Sequence, residues 1–339
     1  MKNFLSLFCC VLILTLCACK SGTEDVFSVH SDITPTVTSS EVVESTPVSS
    51  EAPSSEPTSS VVPSSTPVSS APPPPLPSSS APVQSTQTVT KYNVEDPDNT
   101  RGLSTQKFGF AFGVASGGVP HNMSIENQTK FDGMQNVSAL ALDTKTPEKV
   151  MYLTFDNGYE YQNLTANILD TLKQKGVKAA FFITLSYAKN NKSLVKRMID
   201  EGHIVGNHSA THPSFPSISR TQMANEIGRL DDYMKTNFGY SSPYFRFPSG
   251  EHSECSLELV SSIGFHSVFW SVAYTDWDTS QQKGAGYAHD TVTSRFHPGA
   301  VILLHAVSRD NAEALARMID TAVAQGYSFR TLDDYFKKD

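Results

Sequence analysis

Cysteine is scarce in the part of this 339-residue chain that could fold. Four of the five cysteines fall within the first 19 residues, and only Cys255 lies beyond them. One thiol can form neither an intramolecular disulfide nor a cysteine metal cluster, so both are excluded for the folded region. We interpret Cys255 as a small structural residue at the start of a predicted helix.

Positive charge is also sparse, and lysine and arginine form no cluster or stripe. The formal net charge is −8, but the stretch between Lys20 and Lys91 contains seven acidic residues and no basic one. The rest of the chain is therefore only mildly acidic. Without a basic surface, nucleic acid is excluded as a partner. Beyond the N-terminal head, no apolar run is long enough to cross a bilayer.

The N-terminal head has the pattern of a bacterial export signal. Lys2 precedes an apolar run over residues 4–16, which has the length of a signal-peptide core. The run is followed by a segment ending in Ala18 and Cys19 that resembles a bacterial lipobox. Residues 1–19 are therefore predicted to be a lipoprotein signal peptide with lipidation at Cys19, and an ordinary cleaved signal peptide is the alternative. Lipidation would anchor the protein outside the cytoplasm, on the outer face of the bacterial cell membrane.

Residues 20–95 have a composition that does not support a packed core. Serine, proline, threonine and valine dominate, and no charged side chain occurs from Pro57 to Thr90. Such sequence is typical of a disordered or extended linker, with polyproline character near residues 71–75. At about 3.1 Å per residue, a tether of this length reaches on the order of 200 Å. A passive spacer is an equally compatible interpretation.

From Val150 onward the sequence alternates strand-like and helix-like segments. Short apolar runs rich in β-branched and aromatic residues predict strands, and apolar residues spaced three or four apart predict helices. Repeated βα units of this kind predict an α/β fold with a parallel sheet, either a closed barrel or an open doubly wound sheet. The predicted strands are 150–155, 179–184, 203–208, 244–247, 267–272, 300–305 and 327–330. The predicted helices are 164–175, 194–201, one that starts with a capping box at 219, 256–263 and 312–325.

The unusual polar residues lie at or just after the ends of these predicted strands. In parallel α/β folds the carboxyl ends of the strands meet at one edge, where active sites assemble. We therefore expect these side chains to lie close together in one site. The residues are Asp156, Asn157, His208, His212, Arg246, Asp276 and His305.

Five short segments resemble, in order and spacing, the polysaccharide deacetylases, also called the NodB-homology group or carbohydrate esterase family 4. The resemblance implies a distorted (β/α) barrel of about seven parallel strands over residues 148–339. Residues 96–147 are then expected to pack on this barrel. The segments are Thr154–Glu160, Asn207–Pro213, Arg246–Gly250, Asp276-Trp277 and Leu303–His305.

Amide hydrolysis at neutral pH requires an activated water, a polarised carbonyl and a proton for the leaving amine. His208 and His212, four residues apart, suit a divalent metal, most simply zinc, with cobalt or manganese as alternatives. Asp156 is the predicted general base and His305 the predicted general acid. The competing interpretations are a carboxylate that caps a turn at Asp156 and a buried structural histidine at His305.

The resemblance also implies supporting roles. Asp276 would orient His305 and raise its basicity, and Arg246 would pair with Asp156. The backbone N–H of Ser249 would help to hold the oxyanion. Trp277 and Leu303 would line the pocket for the acetyl methyl group, although a tryptophan and a strand leucine are also ordinary core residues.

Asn157 departs from the pattern of most of the family, which has aspartate there as a third metal ligand. An amide oxygen is a weaker ligand than a carboxylate, so Asn157 either binds the metal weakly or leaves its place to water. The delta-lactam-biosynthetic de-N-acetylases share this asparagine. The same branch is indicated by residues 269–271 and 297–299, Phe-Trp-Ser and His-Pro-Gly.

These observations predict a monomeric, metal-dependent hydrolase that removes N-acetyl groups from cell-wall glycan. The expected substrate is N-acetylmuramic acid in peptidoglycan. One alternative is the same reaction on N-acetylglucosamine in peptidoglycan or another polysaccharide. A second alternative is a catalytically silent wall-binding lipoprotein.

Overall fold

The computed structural model describes residues 91–337. The predicted signal peptide, Cys19 and nearly all of the predicted linker lie outside these residues. No helix between residues 91 and 337 combines the length and the apolar character needed to span a membrane. The strands are β1 (Ala139–Leu140), β2 (Val150–Asn157), β3 (Ala180–Ile183), β4 (Ile204–Asn207), β5 (Tyr244–Phe245), β6 (His266–Val268), β7 (Ala300–His305) and β8 (Ser328–Phe329). The helices are α1 (Asn122–Gly133), α2 (Leu164–Lys175), α3 (Leu185–Asn190), α4 (Lys192–Asp200), α5 (Arg220–Phe238), α6 (Glu254–Ser262), α7 (Ala285–Thr293), α8 (Arg309–Ala324) and α9 (Leu332–Phe336).

The eight strands form one parallel sheet in the order β1-β6-β5-β4-β3-β2-β7, with β8 beside β2. Hydrogen bonds link the β7 edge to the chain just after β6. Leu303 N–H donates to the Val272 carbonyl at 2.8 Å, and Ser271 N–H donates to the Val301 carbonyl at 2.9 Å. Because these bonds join β7 to the segment that follows β6 at the opposite side of the sheet, the sheet closes into a barrel. The predicted α/β fold is confirmed.

Closure brings the start of β7 against the chain that follows β1. Asp143 N–H donates to the Gly299 carbonyl at 2.9 Å. Gly299 has φ +74°, and a Cβ at this position would lie 2.0 Å from the Asp143 carbonyl oxygen. Glycine adopts positive φ without steric cost and here also allows the close backbone approach. The glycine is therefore required where these two segments meet.

Local signals agree well with several observed elements. Helix α2 has the predicted bounds, and Gly176 ends it in the left-handed conformation. Helix α5 begins with the predicted capping box, in which Ser219 and Gln222 each accept a backbone N–H. Strand β7 also has the predicted bounds. These elements could be predicted because short-range periodicity and capping residues define them.

Alternation along the strands divides the core into two layers. Met151, Leu153 and Phe155 of β2 pack outward against helices such as α2 and α8. Tyr152 points to the other face of β2, into the cluster that fills the barrel. Successive side chains of a strand point to opposite faces, so Thr154 and Asp156 share the inner face.

The chain before β2 contributes more to the barrel than packing on its end. Strand β1 pairs with β6 and is the eighth strand, beyond the seven that the sequence indicated. Phe110 stacks on Phe269 with ring centroids 4.5 Å apart, inside the same aromatic cluster. Lys91 and Tyr92, at the end of the predicted linker, both contact Asp231 of α5. The folded part of the chain therefore includes these N-terminal residues.

Two predicted strands end two or more residues earlier in the structure. The strand predicted over 267–272 pairs with β5 as far as Ser267 and with β1 as far as Val268, and residues 271–272 then bond to β7 instead. The strand predicted over 244–247 ends at Phe245, after which Arg246 turns its side chain into the barrel. In both places the backbone leaves the regular ladder to close the barrel or to present a functional side chain.

Candidate active site

The predicted site residues meet at the carboxyl edge of the barrel. Asp156 at the end of β2 lies opposite His305 at the end of β7 in the strand register. His208 directly follows β4, and Arg246 directly follows β5. Because all these strands are parallel, their C-terminal residues gather on one rim. The arrangement expected from the sequence is present.

A buried ion pair lies at the centre of this rim. Arg246 Nη1 donates to Asp156 Oδ1 at 2.8 Å, and Arg246 Nη2 donates to the hydroxyl of Thr154 at 2.9 Å. The guanidinium also donates to the backbone carbonyls of Val268 at 2.9 Å and Phe269 at 3.3 Å. Arg246 is fully buried, and these acceptors replace the water that it has lost.

The same pair fixes the charge of the predicted base. Burial by itself would raise the pKa of Asp156, but the nearby positive groups, chiefly the Arg246 guanidinium with smaller contributions from His208 and His305, together hold the pKa below its ordinary value. Asp156 is therefore ionised at neutral pH and can accept a proton. Its Oδ2, which does not bond Arg246, lies 3.6 Å from His208 Nε2.

The two predicted metal-binding histidines adjoin this carboxylate. His208 and His212 have ring centroids 4.8 Å apart in an edge-to-face arrangement. His208 Nδ1 lies 2.9 Å from the Arg246 carbonyl oxygen. A carbonyl only accepts hydrogen bonds, so Nδ1 carries the proton and Nε2 presents a lone pair toward Asp156.

The protein environment favours the neutral form of both histidines. Burial lowers the pKa of His208 to about 4, and partial burial lowers the pKa of the more exposed His212 below its ordinary value. Neutral imidazole is the form that binds a metal ion. The His208 tautomer and the position of both rings beside an ionised carboxylate therefore fit a divalent cation.

Asn157 lies on a different side of β2. Its amide nitrogen donates to the Thr165 hydroxyl of α2 at 3.2 Å, and strand alternation places it on the face opposite Asp156. Its buried Oδ1 has no hydrogen-bond partner. Among residues 91–337 no hydrogen bond joins Asn157 to either histidine, and no group of three or more His, Cys, Asp or Glu residues could hold a metal ion. The unpartnered oxygen is the atom that a cation could use, and ligation by Asn157 stays a prediction.

The predicted general acid forms a close pair with a second carboxylate. His305 Nδ1 lies 2.7 Å from Asp276 Oδ1, and the His305 backbone N–H donates to Asp276 Oδ2 at 2.8 Å. Burial would lower the pKa of His305, but the Asp276 carboxylate, with a smaller contribution from Asp156, raises the pKa above its ordinary value. The charged imidazolium is thus stabilised, and its other nitrogen, Nε2, can donate a proton.

The remaining predicted residues surround these two pairs. Trp277 is 54% exposed and lies edge-on to His305, with ring centroids 5.7 Å apart. Leu303 lies on β7 in the barrel core. Ser249 is exposed in the 3₁₀ turn Pro248–Gly250 and has φ 54°. An exposed tryptophan beside the acid favours a role in substrate contact over a core role, and the roles of these three residues stay predictions.

Three polar residues of the site were missed in the sequence. Thr154 accepts from Arg246, as described above, and also donates to the Ile302 carbonyl at 2.6 Å. Asn311 donates to Asp276, and Tyr274 donates to Asn311. Thr154 had a usable signal, since it precedes Asp156 by two residues and must share its strand face. Tyr274 and Asn311 are far apart in the sequence and come together only in the folded chain.

Several known proteins are similar to this chain in sequence and fold. The polysaccharide deacetylase family profile matches residues 143–268. The peptidoglycan-N-acetylmuramic acid deacetylase PdaA of Bacillus subtilis is 45% identical over 190 residues, which are 56% of this chain and 72% of that protein. A peptidoglycan-N-acetylglucosamine deacetylase of Bacillus cereus is 33% identical over 193 residues, which are 55% of this chain and 67% of that protein.

A solved structure extends the similarity to three dimensions. The structure of Bacillus subtilis PdaA, described as a family 4 carbohydrate esterase, is 38% identical to this chain. It superposes with a TM-score of 0.66 and matches 70% of this chain and 100% of the other. The fold and the site thus define an α/β-barrel hydrolase. The chain belongs to the polysaccharide deacetylase family, and the resemblance noted in the sequence is confirmed.

Arg246→Met should lower the free energy of unfolding by about 3–5 kcal/mol at neutral pH, because it leaves Asp156 buried without its cation. The folded-state pKa of Asp156 lies below its unfolded value of about 4. The contribution of the pair is therefore present above the unfolded pKa and is lost as pH falls through the folded pKa. Urea denaturation at pH 7 and at about pH 3 measures both differences.

The matched control is Arg229→Met, which removes a half-exposed arginine paired with Glu226. It should change stability by less than about 1 kcal/mol at either pH. A loss for Arg246→Met that is equally large at both pH values would contradict the assigned cause.

Proposed function

We propose that the chain deacetylates N-acetylmuramic acid residues of peptidoglycan. The observation that carries the proposal is that a buried carboxylate bonded to an arginine and a histidine bonded to a second carboxylate lie on one barrel rim. Arg246 favours the negative charge of Asp156, whereas Asp276 favours the positive charge of His305. A proton acceptor and a proton donor that face one rim are what amide hydrolysis requires. The similarity to a deacetylase named for this sugar supports the choice of substrate.

Each residue then has a defined part in the reaction. Asp156 accepts a proton from the water that attacks the acetamide carbonyl carbon. The Ser249 backbone N–H holds the oxyanion that develops on the carbonyl oxygen. His305 donates a proton to the amine nitrogen as the C–N bond breaks, which yields acetate and the free amine. Trp277 and Leu303 line the pocket for the acetyl methyl group.

We further propose that His208 and His212 hold a divalent cation, most simply zinc, with cobalt or manganese as alternatives. Two neutral imidazoles beside an ionised carboxylate support this assignment. When bound, such an ion polarises the carbonyl and lowers the pKa of water at the site. Asn157 is the third protein ligand that the sequence predicts. Its Oδ1 has no hydrogen-bond partner, but its amide nitrogen bonds Thr165, so it would have to turn toward the histidines to ligate.

Two other functions compete with this proposal. An N-acetylglucosamine deacetylase would use the same rim, and a relative of that name is 33% identical. A catalytically silent wall-binding protein would keep the barrel without the chemistry. The intact Asp156–Arg246 and His305–Asp276 pairs favour an enzyme over the silent protein, and the close similarity to PdaA favours muramic acid over glucosamine.

Incubation of the purified protein with muropeptides should remove one acetyl group from muramic acid and leave glucosamine acetylated. Tandem mass spectrometry assigns the lost acetyl mass to one sugar. Acetyl loss from glucosamine would support the first competing function. Absence of acetyl loss with zinc, cobalt and manganese added in turn would support the second.

Asp156→Asn should lower turnover at least ~100-fold in the same assay, because the amide cannot accept the proton of water.

His212→Ala should lose metal binding and keep the fold, because it removes a nitrogen ligand from a partly exposed position. His208→Ala should lose metal as well, with some added instability because His208 is buried. Metal analysis after dialysis, together with thermal melting, measures both effects. The control His289→Ala removes a histidine of α7 that bonds Asp290 and Thr321 and should keep full metal content. Full metal occupancy in His212→Ala would exclude it as a ligand.

We also propose that the chain is a monomer tethered by lipid on Cys19 to the outer face of the bacterial membrane. The lipobox-like segment and the extended linker composition support this localisation. Cys19→Ser should release the protein into the medium or leave an unprocessed precursor, which fractionation and mass spectrometry distinguish. An unchanged membrane fraction of processed protein would place the anchor elsewhere.

A further inference from the structure

The carboxylate of Asp276 is held by more than the histidine that it orients. Its Oδ1 is bonded to His305 Nδ1, and its Oδ2 accepts from the His305 backbone N–H. The side-chain nitrogen of Asn311 also donates to Oδ2, at 2.6 Å. Asp276 is 2% exposed and Asn311 is 1% exposed. The rotation of the carboxylate is therefore defined by three donors that water does not replace.

Asn311 is itself fixed at both ends of its amide. Its Oδ1 accepts from the Tyr274 hydroxyl at 2.6 Å, and its Nδ2 lies 3.4 Å from the His305 carbonyl oxygen as well as close to Asp276. The Asn311 backbone N–H donates to the Ser308 hydroxyl that caps α8. An amide bonded at oxygen and nitrogen cannot flip without losing hydrogen bonds on both sides.

A second set of bonds holds the loop after Asp276 to the start of α8. The Gln282 side-chain oxygen accepts from the Ser308 hydroxyl at 2.8 Å and from the Asp310 N–H at 3.2 Å. Asp310 Oδ2 in turn accepts from the Gly284 N–H at 2.6 Å. The loop that carries Asp276 and Trp277 is thus attached to the turn after His305 at several points, so the two cannot easily move apart.

We propose that Asn311 and Tyr274 are positioning residues for the general acid. They hold the Asp276 carboxylate so that both of its oxygens face His305, which in turn directs His305 Nε2 toward the leaving amine. The inference rests on the proposed function, because it takes His305 as the group that donates a proton to the leaving amine. A displacement of about 1 Å in a reacting group can cost on the order of 100-fold in rate.

The positioning role is tested by Asn311→Leu, which keeps a similar volume and removes both hydrogen-bonding ends. The value of kcat for muropeptide deacetylation should fall ~10- to 100-fold while KM stays within about twofold, because neither residue is placed in contact with the glycan. Tyr274→Phe keeps the ring and removes only the hydroxyl, so it should produce a smaller loss of the same kind. It also serves as the test if Asn311→Leu does not fold.

The matched control is Tyr152→Phe. It likewise removes one tyrosine hydroxyl that donates a side-chain hydrogen bond, here to the Asp143 carboxylate at 2.7 Å, but Tyr152 is not linked to His305 or Asp276. Its kcat should equal that of the wild type even if its melting temperature falls. An equal loss of kcat in Tyr152→Phe and Tyr274→Phe would show that the loss reflects general destabilisation, and it would overturn the positioning role.

A spectroscopic readout separates this inference from the proposed function. In the metal-free wild type, the ¹⁵N shifts of the His305 ring should show Nδ1 firmly protonated in its bond to Asp276. Asn311→Leu should shift these signals toward a tautomer mixture, whether or not any glycan is deacetylated. Unchanged His305 signals in both variants would overturn the positioning role. Absence of turnover in the wild type, with shifted signals in Asn311→Leu, would overturn only the proposed function.

Discussion

The buried Arg246 guanidinium is the constraint on which the rest of the site depends. It bonds Asp156 and Thr154 of β2 and the carbonyls of residues 268 and 269, and its own carbonyl oxygen fixes the tautomer of His208. Removing an ion from water costs several kcal/mol, so the charge is tolerated only while this whole set of acceptors is in place. Arg246 is the largest single cause that favours the ionised form of Asp156, and its carbonyl oxygen leaves the lone pair of His208 on Nε2.

The three histidines of the rim differ in the direction of their pKa shifts, although burial by itself lowers the pKa of each. His208 and His212 have lowered pKa values, with burial as the largest cause, and so remain neutral. His305 has a raised pKa because Asp276 beside it, with a smaller contribution from Asp156, opposes the effect of burial. Two histidines that favour the neutral form and one that favours the charged form therefore coexist within one site, and the bond between His305 and Asp276 is the main difference between them.

Most residues of the candidate site could be predicted because they end strands and occur in short motifs. Parallel strands bring their C-terminal residues to one edge, so the meeting of Asp156 with His305 follows from sequence order once the strands are recognised. Tyr274 and Asn311 could not be predicted, since they are 37 residues apart and meet only in the folded chain. The segment before residue 148 was expected to pack on the barrel, yet it supplies strand β1 and part of the aromatic core.

The sequence by itself determined the α/β class, the bounds of elements such as α2 and β7, and the residues that carry charge and lone pairs. These features depend on local periodicity, capping and residue type, which neighbouring residues reveal. Only the tertiary structure decided that residues 271–272 close the barrel on β7, that Asn157 bonds Thr165, and that Asn311 holds Asp276. Those outcomes depend on contacts between distant segments, which form only when the whole barrel is packed.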